Sequence, residues 1–226
     1  MKVKIQLFFV LFWVHSYSQS KDGVVSYNCY YNETQATEEL KKINPYTYNN
    51  EIEREGIAKS LSFELHFNSD YSYFKFTEGL IPQGIDPTNY EIAQSVFYGN
   101  DRFFTDINRG NCTEIANIMG RTTIINWNIA SQEWQMLNET KIIDGYLCYK
   151  ATSLYKYHWN GKDRQSNLVA WYCPSIPLKV GPIRYSGLPG LILELSEGYR
   201  TWTATKINLN SKSILTSSFI EKIKLE

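Results

Sequence analysis

The sequence predicts a β-rich fold, either all-β or an α+β fold dominated by β-structure, built on a single large antiparallel sheet. Aromatic residues make up 15% of the chain and include 17 tyrosines, and aromatic side chains favour pleated, half-buried surfaces. Asp144-Gly145 and Asn160-Gly161 each separate two strand-like runs, which is typical of tight hairpins with type I′ turns. Leu61 to Phe67 alternates apolar and polar residues, as a strand with one buried face does.

The N-terminus predicts a secretory signal peptide over residues 1–18. Lys2 and Lys4 precede a short apolar run, Ile5 to Val14, and Ser16-Tyr17-Ser18 offers small residues at the positions that a signal peptidase reads. We expect cleavage after Ser18 and export to the periplasm or the outer-membrane periphery. A buried N-terminal helix is the alternative, but it does not account for the positive start and the cleavage site.

The remainder, residues 19–226, has the length of one domain. It keeps 21 basic and 23 acidic residues, a net charge of about −2. Because no basic cluster is present, nucleic-acid binding has no electrostatic support. No stretch of the mature chain approaches the ~20 apolar residues of a membrane-spanning helix.

In the first half, strands alternate with one or two short helices near the N-terminus. Helix formers recur in Glu33–Ile43, which predicts a short helix or an irregular loop, and in Glu51–Lys59. Pro45 to Asn50 is expected to interrupt them. The predicted strands are 24–31, 61–67, 71–76, 102–107, 113–119 and 122–128. Residues 80–89 contain two prolines and a glycine and predict a loop, and residues 90–98 are ambiguous.

The second half has a more regular strand pattern. The predicted strands are 140–143, 146–157, 165–173, 191–197 and 199–209, and residues 213–226 are expected to form a final edge strand. Ser175 to Tyr185 is a loop rich in proline and glycine. It leads into Gly187-Leu188-Pro189-Gly190-Leu191-Ile192, where a type II turn would place Pro189 second and Gly190 third, with a positive φ at Gly190.

Residues 187–192 spell GLPGLI, and the chain resembles the GLPGLI family of bacterial envelope proteins. Two further blocks, Glu139–Ala151 and Ala170–Tyr185, resemble that family's motifs in the same order. The resemblance implies an uncharacterised envelope protein and supplies no molecular function. The sheet also resembles, more loosely, the half-barrel of periplasmic lipoprotein carriers, which implies a curved sheet that holds acyl chains on its concave face.

All four cysteines, Cys29, Cys112, Cys148 and Cys173, lie in the exported part. An even count in an oxidising compartment predicts two disulfides with three alternative pairings. We expect Cys148–Cys173, on neighbouring strands, and Cys29–Cys112. Free buried thiols are the alternative, and a metal site is disfavoured because no C-x-x-C or nearby histidine accompanies the cysteines.

No residues show the spacing of a catalytic or metal site, and we expect a protein that is not an enzyme and carries no cofactor. His66 and His158, the two histidines of the mature chain, are expected at the surface because neither has a ligand or triad partner in sequence. A hydrolase is the least favoured reading. It would require a polar cluster with perturbed ionisation around a cleft.

Two binding hypotheses remain. In the first, Trp134, Trp171, Trp202 and Leu188 wall a cavity for an apolar ligand, an acyl chain or a lipidated protein; a packed core is the alternative role for the same residues. In the second, the loop Ser175 to Gly190 is the contact surface for an outer-membrane partner.

Overall fold

The computed structural model describes residues 22–118, 120–211 and 213–224, so the predicted signal peptide lies outside the described residues. The described chain is dominated by strands, with a few short helices, as the sequence predicts. The strands are β1 Gly23–Tyr31, β2 Ser62–Phe67, β3 Tyr71–Phe76, β4 Arg102–Asp106, β5 Asn111–Ile118, β6 Arg121–Asn128, β7 Gln135–Ile143, β8 Tyr146–Trp159, β9 Lys162–Cys173, β10 Leu191–Glu197 and β11 Arg200–Leu209. The helices are α1 Glu38–Ile43, α2 Pro45–Ala58, α3 Pro87–Val96 and α4 Ser217–Lys224.

The strands form one open antiparallel sheet in the order β6-β5-β4-β3-β2-β1-β11-β10-β9-β8-β7. β1 joins the two halves of the chain, because it pairs with β2 on one side and with β11 on the other. The sheet is rolled. Trp127 of β6, at one edge, lies 6.3 Å from Tyr155 of β8, near the other edge, measured between ring centroids.

The hairpin turns follow the local sequence. Asp144 and Gly145 have φ values of 46° and 79°, and Asn160 and Gly161 have φ values of 50° and 72°. Positive φ at both central residues is the requirement of a type I′ turn, so both predicted hairpins are confirmed.

Two of the helices begin where the sequence predicts breaks. Pro45 and Pro87 each stand at the start of a helix, α2 and α3, and the side chains of Asn44 and Asp86 cap them. Proline suits this position because its missing N–H would have no partner in the first helical turn. The prediction that residues 213–226 form a final edge strand is wrong, since residues 217–224 form the helix α4.

The two faces of the sheet are covered differently. Phe74 and Phe103 belong to the main core, which also contains side chains of α2, α3 and the 174–190 loop. Their neighbours Tyr73 and Phe104 point to the opposite face and pack with residues of the C-terminal segment, including Ile223 of α4. The inside of the rolled sheet is therefore filled by helices and by a loop, and not left open as a concave trough.

Candidate ligand cavity

A cavity of about 1070 Å³ opens between the end of β6 and the middle of β8. Its walls come from residues 127–129 and 131–135, from residues 152–156 of β8, from residues 167–169 of β9, and from Arg184 and Tyr185 of the buried loop. Seven of the wall residues carry an amide or an aliphatic hydroxyl, and four carry an aromatic ring. Its volume is at the upper end of the ~300–1,000 Å³ typical of ligand pockets.

The cavity exists because strand pairing stops on both sides of it. Within the described part of the chain, β7 pairs with β8 as far as Thr152, and beyond that residue β8 pairs only with β9. Among the strands that the structure describes, β6 pairs only with β5. A short segment, including a 3-10 turn at Ile129–Ser131, links β6 to β7 and closes one end of the gap.

Arg184 forms the inner wall of the cavity and is only 6% exposed. Its guanidinium carbon lies 4.6 Å from the ring centroids of both Trp127 and Tyr155. Nη2 donates hydrogen bonds to Glu197 Oε1 (2.7 Å) and to the hydroxyl of Tyr185 (3.1 Å). The hydroxyl of Tyr98 is a third hydrogen-bond partner of this guanidinium. Because a guanidinium carries five N–H donors, donors remain for a ligand in the cavity.

Glu197, at the end of β10, holds this arginine in place. Its carboxylate is 2% exposed and also accepts from Arg200 Nη2 (2.6 Å) and from the hydroxyl of Tyr98 (3.1 Å). Burial, together with the charge of Glu197, raises the pKa of Tyr185, so that this phenol stays a donor to the carboxylate. One buried carboxylate thus orders two guanidiniums and two phenols.

Two further carboxylates lie behind the aromatic wall. Trp127 Nε1 donates to Glu114 Oε2 at 2.6 Å, and burial raises the pKa of Glu114. Burial and the neighbouring charge of Glu114 raise the pKa of Asp101 to about 6. Neither carboxylate lines the cavity, and each has a donor, since Asn117 N bonds Asp101 at 3.3 Å.

The backbone beside Arg184 is strained. Ile183 is β-branched and has a φ of 59°, a conformation that costs such residues about 1–2 kcal/mol. The side chain is buried, and the loop is held by main-chain bonds such as Ile192 N to Val180 O at 3.0 Å. The packing therefore maintains an unfavourable turn that fixes the direction of Arg184.

The four residues predicted to bind an apolar ligand are not brought together. Trp134 lines the cavity and donates from Nε1 to Ser186 O at 3.0 Å. Trp202 is fully buried against Phe97, and Leu188 is 2% exposed. Trp171 lies beneath Lys141, with Nζ 4.7 Å from its ring centroid. Three of the four are therefore packed by the protein itself.

The loop predicted as a contact surface is largely inside the protein. Every residue from Val180 to Ser186 is buried, while Pro174, Ser175 and Lys179 are exposed. The predicted turn geometry is also wrong. The positive φ, 92°, belongs to Gly187 and not to Gly190. Gly190 is needed for a different reason, because a Cβ there would lie 2.2 Å from the carbonyl oxygen of Cys173.

The cysteines and one histidine, His66, also differ from expectation, whereas His158 is exposed as predicted. All four thiols are free and buried, so neither predicted disulfide is present in the structure. Cys148 and Cys173 do lie on paired strands, whereas three strands separate Cys29 from Cys112. His66 is 6% exposed rather than on the surface, and its Nε2 is 3.0 Å from Glu64 Oε2.

The residues that build the inner wall were not singled out from the sequence. Arg184 and Tyr185 belong to one of the family-like blocks, and Glu197 reads as an ordinary polar position of a strand. The usable signal was an arginine inside a segment that is otherwise apolar, proline or glycine, because such a charge requires a buried partner. The described residues contain no cluster of three metal-ligating side chains, and none of their helices is long and apolar enough to span a membrane.

Comparisons with known proteins give no molecular function for the chain. A family described as a protein of unknown function (Porph_ging) matches residues 158–194. Solved structures of PNGF-II in the C2 and P21 space groups are similar over 85% and 87% of this chain, at 15% and 16% identity and a TM-score of 0.48 in each case. The match covers 28% and 30% of those chains, so this chain spans less than a third of their length. That likeness is too distant to carry an argument, and no curated protein matches the chain.

Proposed function

We propose that the protein is an exported, non-enzymatic binding protein that holds a ligand in the cavity between β6 and β8. The observation that carries the proposal is Arg184. Its guanidinium is 6% exposed, lies between two aromatic rings and faces an open cavity, and it has five N–H donors for three protein partners, Glu197, Tyr185 and Tyr98. Buried donors are normally satisfied, and a ligand acceptor would satisfy these.

The lining favours a ligand with hydrogen-bonding groups over an acyl chain. Asn128, Gln132, Thr152 and Asn167 are among the polar residues on the walls. An acyl chain would leave such amides and hydroxyls without partners, which costs about 1–3 kcal/mol for each buried group. The concave face that a lipoprotein carrier would use is filled here by helices and by the loop.

A binding role is favoured over catalysis by the cavity walls. Ser153 is a wall residue, but its hydroxyl donates to Glu133 O and accepts from Gln132. Among the described residues, no histidine lines this cavity, and the two carboxylates with raised pKa values lie behind Trp127. The walls thus offer no activated nucleophile with a base in hydrogen-bond reach.

Export to the periplasm and membership of the GLPGLI family complete the proposal. They rest on the predicted signal peptide, on the resemblance at Gly187–Ile192, and on the match of residues 158–194 to a family of unknown function, which spans the motif. The alternative, a partner-binding envelope factor that uses the loop before the motif, is disfavoured by the burial of residues 180–186.

The test is native mass spectrometry of the mature chain purified from its own envelope fraction. Gln135→Trp narrows the cavity at an exposed wall residue, and Thr122→Trp, exposed on β6 away from the cavity, is the matched control. We expect a bound mass on the wild type and on the control, lost in Gln135→Trp. A wild type without any added mass, or equal masses on all three proteins, would contradict the proposal.

A further inference from the structure

The cavity is bordered by strand edges with no partner. From Leu154 to His158, β8 pairs with β9 alone, and β6 has no partner on its outer side within the described chain. Free edges carry rows of main-chain donors and acceptors and are templates for another strand. Natural edges are usually protected by charges or prolines. Residues 154–158 of β8 contain one lysine, Lys156, whereas Leu154 and Tyr157 on β8 and Ile124 on β6 are 44%, 37% and 42% exposed.

Two of the four aromatic rings that line the cavity, Tyr155 and Trp127, already pack against Arg184. Tyr155 has the guanidinium of Arg184 over its ring and is also stacked with Tyr157, at 5.4 Å and an interplanar angle of 16°. Trp127 has the same guanidinium over its ring, and its indole N–H bonds Glu114. Recognition of a sugar by stacking needs an open ring face, so these two rings favour a ligand held by main-chain hydrogen bonds.

The charges near Arg184 favour a neutral acceptor. Glu197 bonds both Arg184 and Arg200, and Glu114 and Asp101 lie close behind Trp127. An anionic ligand would add another negative charge to this group. A peptide carbonyl can accept from the remaining N–H donors of Arg184 and adds no charge.

We propose that the ligand is an extended segment of another polypeptide, which adds to the free edge of β8 as an antiparallel strand and places a main-chain carbonyl on Arg184. This inference rests on the proposed function of the cavity. The segment continues the line of β7, which pairs with β8 up to Thr152. Five residues against Leu154–His158 would span about 17 Å at ~3.4 Å per residue. Such main-chain pairing is the basis of strand-addition recognition.

The experiment is affinity selection of a randomised octapeptide library on the mature wild type, on Gln135→Trp and on Thr122→Trp, read by mass spectrometry. We expect peptides that are retained by the wild type and by Thr122→Trp and that bind Gln135→Trp at least tenfold more weakly. With the best peptide bound, hydrogen exchange of amides in residues 154–158 should slow at least tenfold.

Two N-methylated versions of that peptide, one methylated at the odd and one at the even amides, test the pairing. Alternate residues of a strand face its neighbour, so one version should bind at least tenfold more weakly and the other should bind as the parent does. Equal binding of both versions, or no protection of residues 154–158, overturns strand addition. A non-peptide ligand in native mass spectrometry with no peptide retained overturns the inference and leaves the cavity function standing. No ligand of any class contradicts both.

Discussion

Gly190→Ala is expected to destabilise the protein through a collision with the backbone and not through an unfavourable φ. A Cβ at Gly190 would lie 2.2 Å from Cys173 O and 2.8 Å from Pro174 N, where ordinary contacts begin at 3.4 Å. The entry to β10 must therefore move about 1.2 Å away from the end of β9. That movement disturbs the adjacent bond from Leu191 N to Ile176 O, which is 3.0 Å long.

The expected cost is about 2–4 kcal/mol. Overpacking in a tight region costs about 1–3 kcal/mol, and a lost buried hydrogen bond adds about 1 kcal/mol. Gly187→Ala is the matched comparison. Gly187 has open space around it but a φ of 92°. Gly187→Ala should therefore cost only the strain of a left-handed conformation, about 1–2 kcal/mol, which is less than the cost at Gly190. Gly79 has open space and no positive φ, and alanine there should stabilise by about 0.4–1 kcal/mol.

Asparagine separates the two mechanisms. It tolerates positive φ better than alanine does, so Gly187→Asn should be less destabilising than Gly187→Ala. At Gly190 the larger side chain should be as harmful as alanine or worse. The measurement is the free energy of unfolding from urea titration of all five variants. A Gly190→Asn protein that is clearly more stable than Gly190→Ala would refute the collision and restore the positive-φ turn.

Three further predictions concern buried ionisable groups. Glu197→Gln should cost about 3–5 kcal/mol in urea unfolding, because it leaves two arginines buried without a counter-charge, whereas Glu139→Gln, at a more exposed ion pair, should change stability by no more than about 0.5 kcal/mol. Asp101 has a folded-state pKa raised to about 6, so the folded state binds more protons than the unfolded chain between about pH 4 and 6 and loses stability as pH rises. The gain in melting temperature of Asp101→Asn over the wild type should accordingly be larger at pH 7.5 than at pH 4, and equal gains would show that the carboxyl is not perturbed. Peptide mapping after oxidation should find a Cys148–Cys173 disulfide and leave Cys29 and Cys112 free. Tyr149 pairs with Tyr172 across β8 and β9, so Cys148 and Cys173, one position further in this register, lie opposite each other. A different disulfide would show that this strand register is wrong.

The parts of the fold that depend on neighbours in sequence were predictable. Asp144-Gly145 and Asn160-Gly161 determine their hairpins through turn chemistry, and the alternation in Leu61–Phe67 identifies a half-buried strand. The errors arose where one residue type has two roles. Proline breaks a helix interior but suits the first helical position, and for this reason the starts of α2 and α3 were missed. Residues 217–224 carry apolar side chains at helical spacing, including Phe219 and Ile223, which an edge strand does not require.

The cavity was not predictable from the sequence, because it depends on contacts between distant strands. Trp127 and Tyr155 meet only when the sheet rolls and brings β6 towards β8. From sequence, Glu197 resembles a solvent-facing position of β10. Its burial depends on the folded loop, which brings Arg184 to a carboxylate that already has Arg200 three residues away. Tryptophans were a poor guide to the site because large aromatic side chains dominate cores as readily as they line cavities.

The most recognisable stretch of the chain is therefore not the site but the structure that positions it. Gly190 lets the loop pass close to the end of β9, Leu188 packs into the core, and Ile192 N bonds Val180 O, so the motif ties down both ends of the buried segment. Between those ties, the strained turn at Ile183 directs Arg184 towards the cavity. A change at Gly190 should then lower stability and ligand binding together, because it displaces the segment that positions Arg184, whereas a change in the cavity wall such as Gln135→Trp should weaken binding at unchanged stability. This difference separates the role of the motif from the role of the site.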